Sequence, residues 1–436
     1  MNQNNKFQIE RETVNHHWAL RLQMGCKAIC NDKRKASLVL AYALVALLLW
    51  LVQPWLLIWR ENDIFSVMQR VGTSQLFPVA ALGGLFGLVV LFGTPIGWKS
   101  VQNDLRRVGL VNHAGEAPYL VASWRDKEKP HVTVMEFETC GIPRSEWEDK
   151  REKIETALNL YVAKITEGNE KRRVLLYTAP LSCELPAVLH WQEQYLSYRD
   201  FELVLGESIL GPVTVNLAQI PHILLGGSTG SGKSVLLKLL LMQSVKKNAA
   251  VCVADFKGGV DFPGAWQRKC RMIFDKADLL DFLTGLVEEL EQRKETFRAA
   301  GCANIGEYNG HGGVAYERII FACDEVAELL DKNGLCKEDK EQVSRIESKL
   351  SVIARQGRAF GVHLILATQR PDATILAGQI RNNIDCRVCG RADSVLSQII
   401  LDSSDAADRI PKDAQGRFLM HDGTIFQAYL FDKNSI

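Results

Sequence analysis

Gly227-Ser228-Thr229-Gly230-Ser231-Gly232-Lys233-Ser234 decides the fold of this chain. The octet matches GxxxxGK[ST] in full. Glycines let the main chain curl until successive N–H groups point at phosphate oxygens, and a helix opening at the end of the loop adds its positive N-terminal potential. The motif requires a strand before it and a helix after it. Ile223-Leu224-Leu225 reads as the strand and Val235 to Val245 as the helix. Lys233 is then expected to reach the β- and γ-phosphates of ATP, and Ser234 to place its hydroxyl on Mg²⁺. A chance glycine turn would not bring strand, loop and helix together in this order.

Outward from the loop, residues 201–436 alternate apolar runs of strand length with segments of helix length. That is the pattern of an α/β domain with a parallel sheet and crossover helices. Ala250 to Ala254, Ile319 to Cys323 and His363 to Ala367 read as further strands. Ile319-Ile320-Phe321-Ala322-Cys323 runs into Asp324-Glu325. A buried strand cannot hold these charges, so they should emerge at its carboxyl end, where open α/β sheets bind ligands. Beside a phosphate loop, Asp324 suits Mg²⁺, directly or through water. Glu325 suits orienting and deprotonating the attacking water. Taken alone, a strand ending in Asp-Glu is often only solvated.

Leu364-Ile365-Leu366-Ala367-Thr368-Gln369-Arg370 is another strand ending in polar groups. Gln369 is a candidate sensor of the γ-phosphate or the water; the alternative is a turn residue with a satisfied amide. Asp255 and Lys257 close the second strand, and the residues do not decide between the site, a polymer track and plain surface. Motors of this class bring a positive charge to the transferring phosphoryl group, often from a neighbouring subunit. Arg358, Arg387 and Arg391 are the arginine-finger candidates, each with a surface or structural ion pair as the commoner role.

These motifs resemble those of the FtsK/SpoIIIE family of DNA-pumping ATPases, over about residues 203–421. Gly211-Pro212-Val213, Asn216-Leu217-Ala218 and Pro221-His222-Ile223-Leu224 lead into the phosphate loop as in that family. Asp324-Glu325-Val326-Ala327-Glu328-Leu329 resembles its second motif. Arg358-Ala359-Phe360-Gly361-Val362-His363 with Leu366-Ala367-Thr368-Gln369-Arg370-Pro371 resembles its third, and Ile400-Leu401-Asp402 with Gly416-Arg417-Phe418-Leu419 its closing segment. The resemblance implies a RecA-like P-loop NTPase motor that assembles as a homo-hexameric ring and passes DNA through its pore. Chromosome pumps of the family carry a C-terminal winged-helix module and about four membrane spans. This chain ends at Ile436 without the first and shows two apolar spans. On both counts it is similar to the short FtsK-like coupling proteins of Gram-positive conjugative elements, which implies a relaxase and secretion-channel proteins as partners.

The spans lie near the N-terminus. Ala36 to Trp59 and Leu76 to Trp98 carry no charged side chain, and each reaches the roughly 20 residues that cross a hydrocarbon core as a helix. Trp59 and Trp98 sit where amphipathic rings favour headgroups. A signal peptide fits poorly, since the first run starts late and a second follows. Lys33-Arg34-Lys35 before the first span and Lys99, Arg106 and Arg107 after the second outweigh the mixed loop of Arg60, Glu61, Asp63 and Arg70. The positive-inside rule then places both termini in the cytoplasm, where ATP is found. Gly83 and Gly87 form a GxxxG, a weak sign of a helix-packing face.

The expected organisation is therefore a polar, flexible or interfacial arm over 1–35, a transmembrane hairpin over 36–59 and 76–98, a small α+β module over 99–200, and the motor over 201–436. In the module, Val132 to Phe137 and Arg173 to Thr178 read as strands. Trp147, Ile154, Leu158, Tyr161 and Ile165 recur at helical spacing. The chain of 436 residues carries a formal charge of +1, which neither supports nor excludes a nucleic-acid partner. Its 11 cysteines are scattered. Cys386 and Cys389 form a CxxC with no second pair at zinc spacing and read as strand residues. The leading expectation is a membrane-anchored, ATP-driven DNA translocase. A protein-export motor of the type VII kind and a membrane scaffold switched by ATP are the alternatives. Several linked motor domains would mark the first alternative; an intact Glu325 and Gln369 argue against the second.

Overall fold

The computed structural model describes residues 18–56, 64–312, 314–369 and 378–431. The chain divides into two compact units, Met1–Ser182 and Cys183–Ile436. Residues 183–200 thus pack with the second unit, although sequence patterning alone drew the line after residue 200.

In the first unit, residues 18–31, part of the arm expected to be flexible or interfacial, are helical. The reason is a close helix crossing. A side chain at Gly25 would meet Val89 O at 1.9 Å, and one at Gly93 would meet Arg21 O at 2.0 Å. Buried Arg21 then donates to Leu120 O at 2.8 Å, tying this helix to the sheet. The helix Lys33–Leu56 follows. Its segment Lys33–Val52 is the one helix among the described residues long and apolar enough to cross a membrane by length and composition. Leu38, Leu44 and Leu48 on it are exposed.

The second expected span differs. The helix runs Ile64–Phe92, and its apolar part is the shorter Leu76–Phe92. Gly93 and Pro95 end it, and Gly97 at φ 77° starts a separate polar helix, Trp98–Arg107. Gly83 and Gly87 face open space, whereas Gly84 meets the facing helix through Tyr42. Tyr42 donates to Ala81 O at 3.1 Å. Trp59, Arg60, Glu61 and Asp63 lie outside the described residues.

The module's sheet is antiparallel, with order β1-β2-β4-β3, where β1 is Tyr119–Arg125, β2 Thr133–Glu138, β3 Leu160–Glu167 and β4 Arg173–Pro180. Helices Arg144–Asp149 and Arg151–Leu158 bury Trp147 and Ile154 against Phe137, Val162 and Leu176. The helical spacing stops earlier than expected. Asn159 takes the left-handed conformation (φ 52°), so Tyr161 and Ile165 belong to β3.

Among the described residues, the second unit is built on a sheet of 11 strands. They are β5 Leu189–His190, β6 Glu202–Ser208, β7 Gly211–Asn216, β8 Ile223–Gly226, β9 Ala250–Ala254, β10 Arg271–Ile273, β11 Ile319–Cys323, β12 Val362–Thr368, β13 Cys386–Gly390, β14 Arg417–Met420 and β15 Ile425–Leu430. The path is β10-β9-β11-β12-β8-β13-β14-β15-β6-β7, with β5 on β15. From β10 to β13 every pair is parallel. From β13 to β7 every pair is antiparallel, so the sheet is mixed where a parallel one was expected. The short links β6–β7 and β14–β15 allow only antiparallel neighbours, since a parallel pair needs a long crossover.

Both faces of the parallel half are covered, and the strands alternate between two cores. Leu224, Cys252, Phe321 and Leu364 pack with the helices Lys276–Ala299 and Lys337–Phe360. Ile223, Leu225, Val253, Ala322 and Ile365 pack with the helix Lys233–Lys246. That helix is buried over most of its surface, with Lys238, Gln243 and Ser244 among its buried residues. The arrangement anchors the carboxyl ends of β8, β11 and β12 side by side.

Candidate active site

The phosphate loop leaves β8 at Gly226 and enters its helix at Lys233. Gly230 (φ 78°) and Gly232 (φ 97°) make the curl, a conformation that side chains with a Cβ resist. At Gly232 a Cβ would also stand 3.1 Å from the main chain of Gly416. The loop is braced from the β13–β14 side. Ser228 N–H donates to Arg391 O at 2.8 Å, and Gly416 N–H to Ser231 O at 2.9 Å. Among the described residues no acceptor meets the main-chain N–H of Gly230, Gly232, Lys233 or Ser234. Ser231 Oγ is likewise buried without a partner among the described residues. Unpaired donors at a helix N-terminus fit a phosphate chain.

Lys233 Nζ donates to Asp324 O at 2.6 Å and to its Oδ1 at 2.9 Å. Both side chains are buried. Ser234 Oγ lies 3.1 Å from the same Oδ1. Burial pushes the Asp324 carboxyl up, but the Lys233 charge and hydrogen bond, with Lys257 and Ser234, hold it below its ordinary value. A hydroxyl beside a carboxylate is an all-oxygen donor pair of the kind that suits Mg²⁺. The residues present therefore fit both groups that the loop implies.

Lys257 belongs to this site. Its Nζ is 3.7 Å from Asp324 Oδ2 and 3.8 Å from Asp261 Oδ2. Burial lowers its tendency to hold a proton, and the acids around it, Asp324 first, more than restore it. Asp255 instead shapes its own loop, accepting from Lys257 N at 3.0 Å and Gly259 N at 3.1 Å.

Because β12 lies between β8 and β11, its end falls between the phosphate loop and the acids. Gln369 uses that place. Its Oε1 accepts from Thr229 Oγ1 at 2.9 Å, and its main-chain N–H donates to Glu325 Oε2 at 3.0 Å. Thr368 Oγ1 donates to Glu325 Oε1 at 2.7 Å. Thr368 and Thr229 escaped the sequence reading in these roles. A hydroxyl ending an otherwise apolar strand was the signal available for Thr368. Arg370 and Pro371 lie outside the described residues.

The arginines separate. Arg387 pairs with Asp402 at 2.5 Å and donates to Ile384 O and Arg381 O, so it secures its own strand. Arg358 is exposed near the end of the helix Lys337–Phe360, with no ion pair among the described residues. Arg391 donates to Thr229 O at 2.8 Å and Lys412 O at 2.6 Å. Cys386 and Cys389 are buried on β13, where burial pushes both thiols up to about 12.

Residues 185–373 match the model of the FtsK/SpoIIIE family. The chain is 32% identical over 251 residues to the DNA translocase FtsK of Chlorobaculum tepidum, covering 52% of this chain and 30% of that protein. It is 31% identical over 219 residues to the DNA translocase FtsK of Helicobacter pylori strain J99, covering 47% and 24% respectively. The chain thus spans less than a third of the length of these curated relatives. Among solved structures, the pCW3 conjugation coupling protein TcpA, in its monomer form with ATPγS, matches with 35% identity and a TM-score of 0.58. The match covers 77% of this chain and 95% of that one.

Proposed function

Because the chain belongs to the FtsK/SpoIIIE family of P-loop ATPases, we propose that it is a membrane-anchored, ATP-driven DNA translocase. Its task on this reading is that of a coupling protein, feeding DNA to a conjugative secretion channel. The observation that carries the hydrolytic part of the reading is the hydrogen-bonded path from Thr229 through Gln369 to Glu325. A site that only bound nucleotide would have no use for a carboxylate held at the far end of that path.

The residues divide the work. The free amides of the loop and Lys233 hold the phosphate chain, and Lys233 must leave Asp324 to do so. Ser234 and Asp324 would hold Mg²⁺, which supplies charge neutralisation on the phosphates. Glu325 takes the proton of the attacking water. Thr368 and the Gln369 main chain aim its carboxylate by occupying both oxygens, and orientation of this kind is worth several kcal/mol in effective concentration. The Gln369 side chain, held by Thr229, reports the state of the phosphate loop to the same strand end.

The apolar helix Lys33–Val52 supports anchoring in a membrane. On this reading Leu76–Phe92 returns the chain, both termini are cytoplasmic, and the motor works as a homo-hexamer with a relaxase and channel proteins as partners. TcpA, whose name carries the conjugation role, supports the choice of task. The test is ATP turnover by the full-length chain in detergent, with and without duplex DNA. Strong stimulation that fades with added salt is expected, since phosphate contacts release counterions. Turnover indifferent to DNA would overturn the proposed task and leave an export motor in its place.

A further inference from the structure

Arg391 is bound twice within its own chain. Its Nη2 donates to Thr229 O at 2.8 Å and its Nη1 to Lys412 O at 2.6 Å. Its main-chain oxygen accepts from Ser228 N at 2.8 Å. A side chain added at Gly230 would stand 3.3 Å from Nη2. The guanidinium therefore lies against the crest of the phosphate loop, and both of its terminal nitrogens are engaged by carbonyl oxygens. An arginine that serves a neighbouring subunit must instead project outward with those nitrogens free to meet a phosphoryl group.

We infer that Arg391 is a positioning residue acting in cis, which clamps the crest of the phosphate loop to segment 411–416. The physical logic is local. Thr229 is gripped from two sides, its hydroxyl by Gln369 and its carbonyl by Arg391. Gly230, the next residue, is in the left-handed conformation (φ 78°), so the curl that turns the amides inward begins where the clamp holds. Gly416 N–H on Ser231 O extends the grip to the other side of the crest. A rigid cradle costs less ordering when phosphates bind. Releasing the clamp should therefore weaken every nucleotide that has a phosphate chain, without slowing a step that Arg391 does not touch.

This inference rests on the ATPase reading of the site, and the experiment keeps the two apart. Fluorescent mant-ATP and mant-ADP, with Mg²⁺, are titrated into the full-length chain in detergent, as wild type, Arg391→Ala, Arg391→Lys and Lys233→Ala. Arg391→Ala removes both carbonyl contacts and should weaken both nucleotides by about tenfold, because a looser loop has to be ordered when phosphates bind. Turnover at saturating ATP should change little. Arg391→Lys, which can reach one carbonyl, should recover part of the affinity, and it decides the matter alone if the alanine variant fails to fold. Unchanged affinity, or collapsed turnover with affinity intact, would overturn the inference. Mixing Lys233→Ala and Arg391→Ala chains at subsaturating ATP adds a second check: a residue working in trans restores the lost affinity in mixed assemblies, whereas a cis clamp leaves it lost. If wild type binds neither nucleotide, or Lys233→Ala binds both as well as wild type, the reading of the site fails instead.

Discussion

Thr229, in the phosphate loop, donates its hydroxyl to Oε1 of Gln369, 2.9 Å away and 140 residues further along the chain. This bond joins the GxxxxGK[ST] loop to the strand end whose main chain meets Glu325. Thr229→Val keeps the shape of the side chain and removes only the donor. It is expected to leave nucleotide affinity nearly intact and to lower kcat by roughly tenfold, as one hydrogen bond's worth of orientation would. Gln369→Ala should behave alike and not add to it, because both cut one path. Steady-state kinetics of the two single variants and the double variant provide the check.

Glu325→Gln retains size and hydrogen bonding to Thr368 and Gln369 but removes the base. Binding of mant-ATP should persist while turnover falls by about 10²–10⁴, the usual contribution of general base catalysis. Turnover that survives would remove Glu325 from that role.

Lys233 and Asp324 form a buried ion pair. Lys233→Met should abolish nucleotide binding and, in addition, destabilise the free protein by on the order of 3 kcal/mol, since a buried carboxylate loses its main partner. Lys257 and Ser234 remain beside it and temper the loss. Adding Asp324→Asn should restore much of the stability and none of the binding. Denaturant unfolding without nucleotide, beside a binding titration, separates the two effects.

Acid should weaken the motor unit through two histidines at the opposite ends of β8 and β12 from the site. His222 is buried, bonded to Ala354 O and Leu364 N, and burial pulls it down to about 4. His363 is held well below its ordinary value by burial and then by Arg318, which itself pairs with Asp200. Both folded-state values lie below the unfolded one, so the unfolded chain binds the extra protons. The stabilisation is complete above about pH 6.5 and is lost as pH falls toward 4, by up to about 1.4 kcal/mol per pH unit for each histidine. Denaturation midpoints at pH 7.5, 6 and 5 measure the slope. In His222→Gln that slope should flatten.

Local patterns carried much of this structure. The phosphate loop, the strands on either side of it in the sheet and the reading of Cys386 and Cys389 as strand residues all depend on spacings of a few residues, which chemistry constrains tightly. The helix over 18–31 did not announce itself, because what orders it is a distant contact: Gly25 and Gly93 bring main chains together, and Arg21 reaches Leu120. Tyr161 and Ile165 misled for the converse reason. Their spacing is helical, but the left-handed Asn159 ends the helix before them.

The same division runs through the site. From the sequence by itself came the candidates for the chemistry: Lys233 and Ser234 for phosphate and metal, Asp324 and Glu325 at the end of an apolar strand, Gln369 at the end of another. Glycine curl, charge and apolar periodicity are local properties, and they survive in one dimension. Only the tertiary structure decided which groups meet. The order β11-β12-β8 sets Gln369 between Thr229 and Glu325 and places Lys257 at Asp324. It also turns Arg391 onto the loop of its own chain. Strand order is a long-range choice made by packing two cores against one sheet, and no spacing along the chain encodes it.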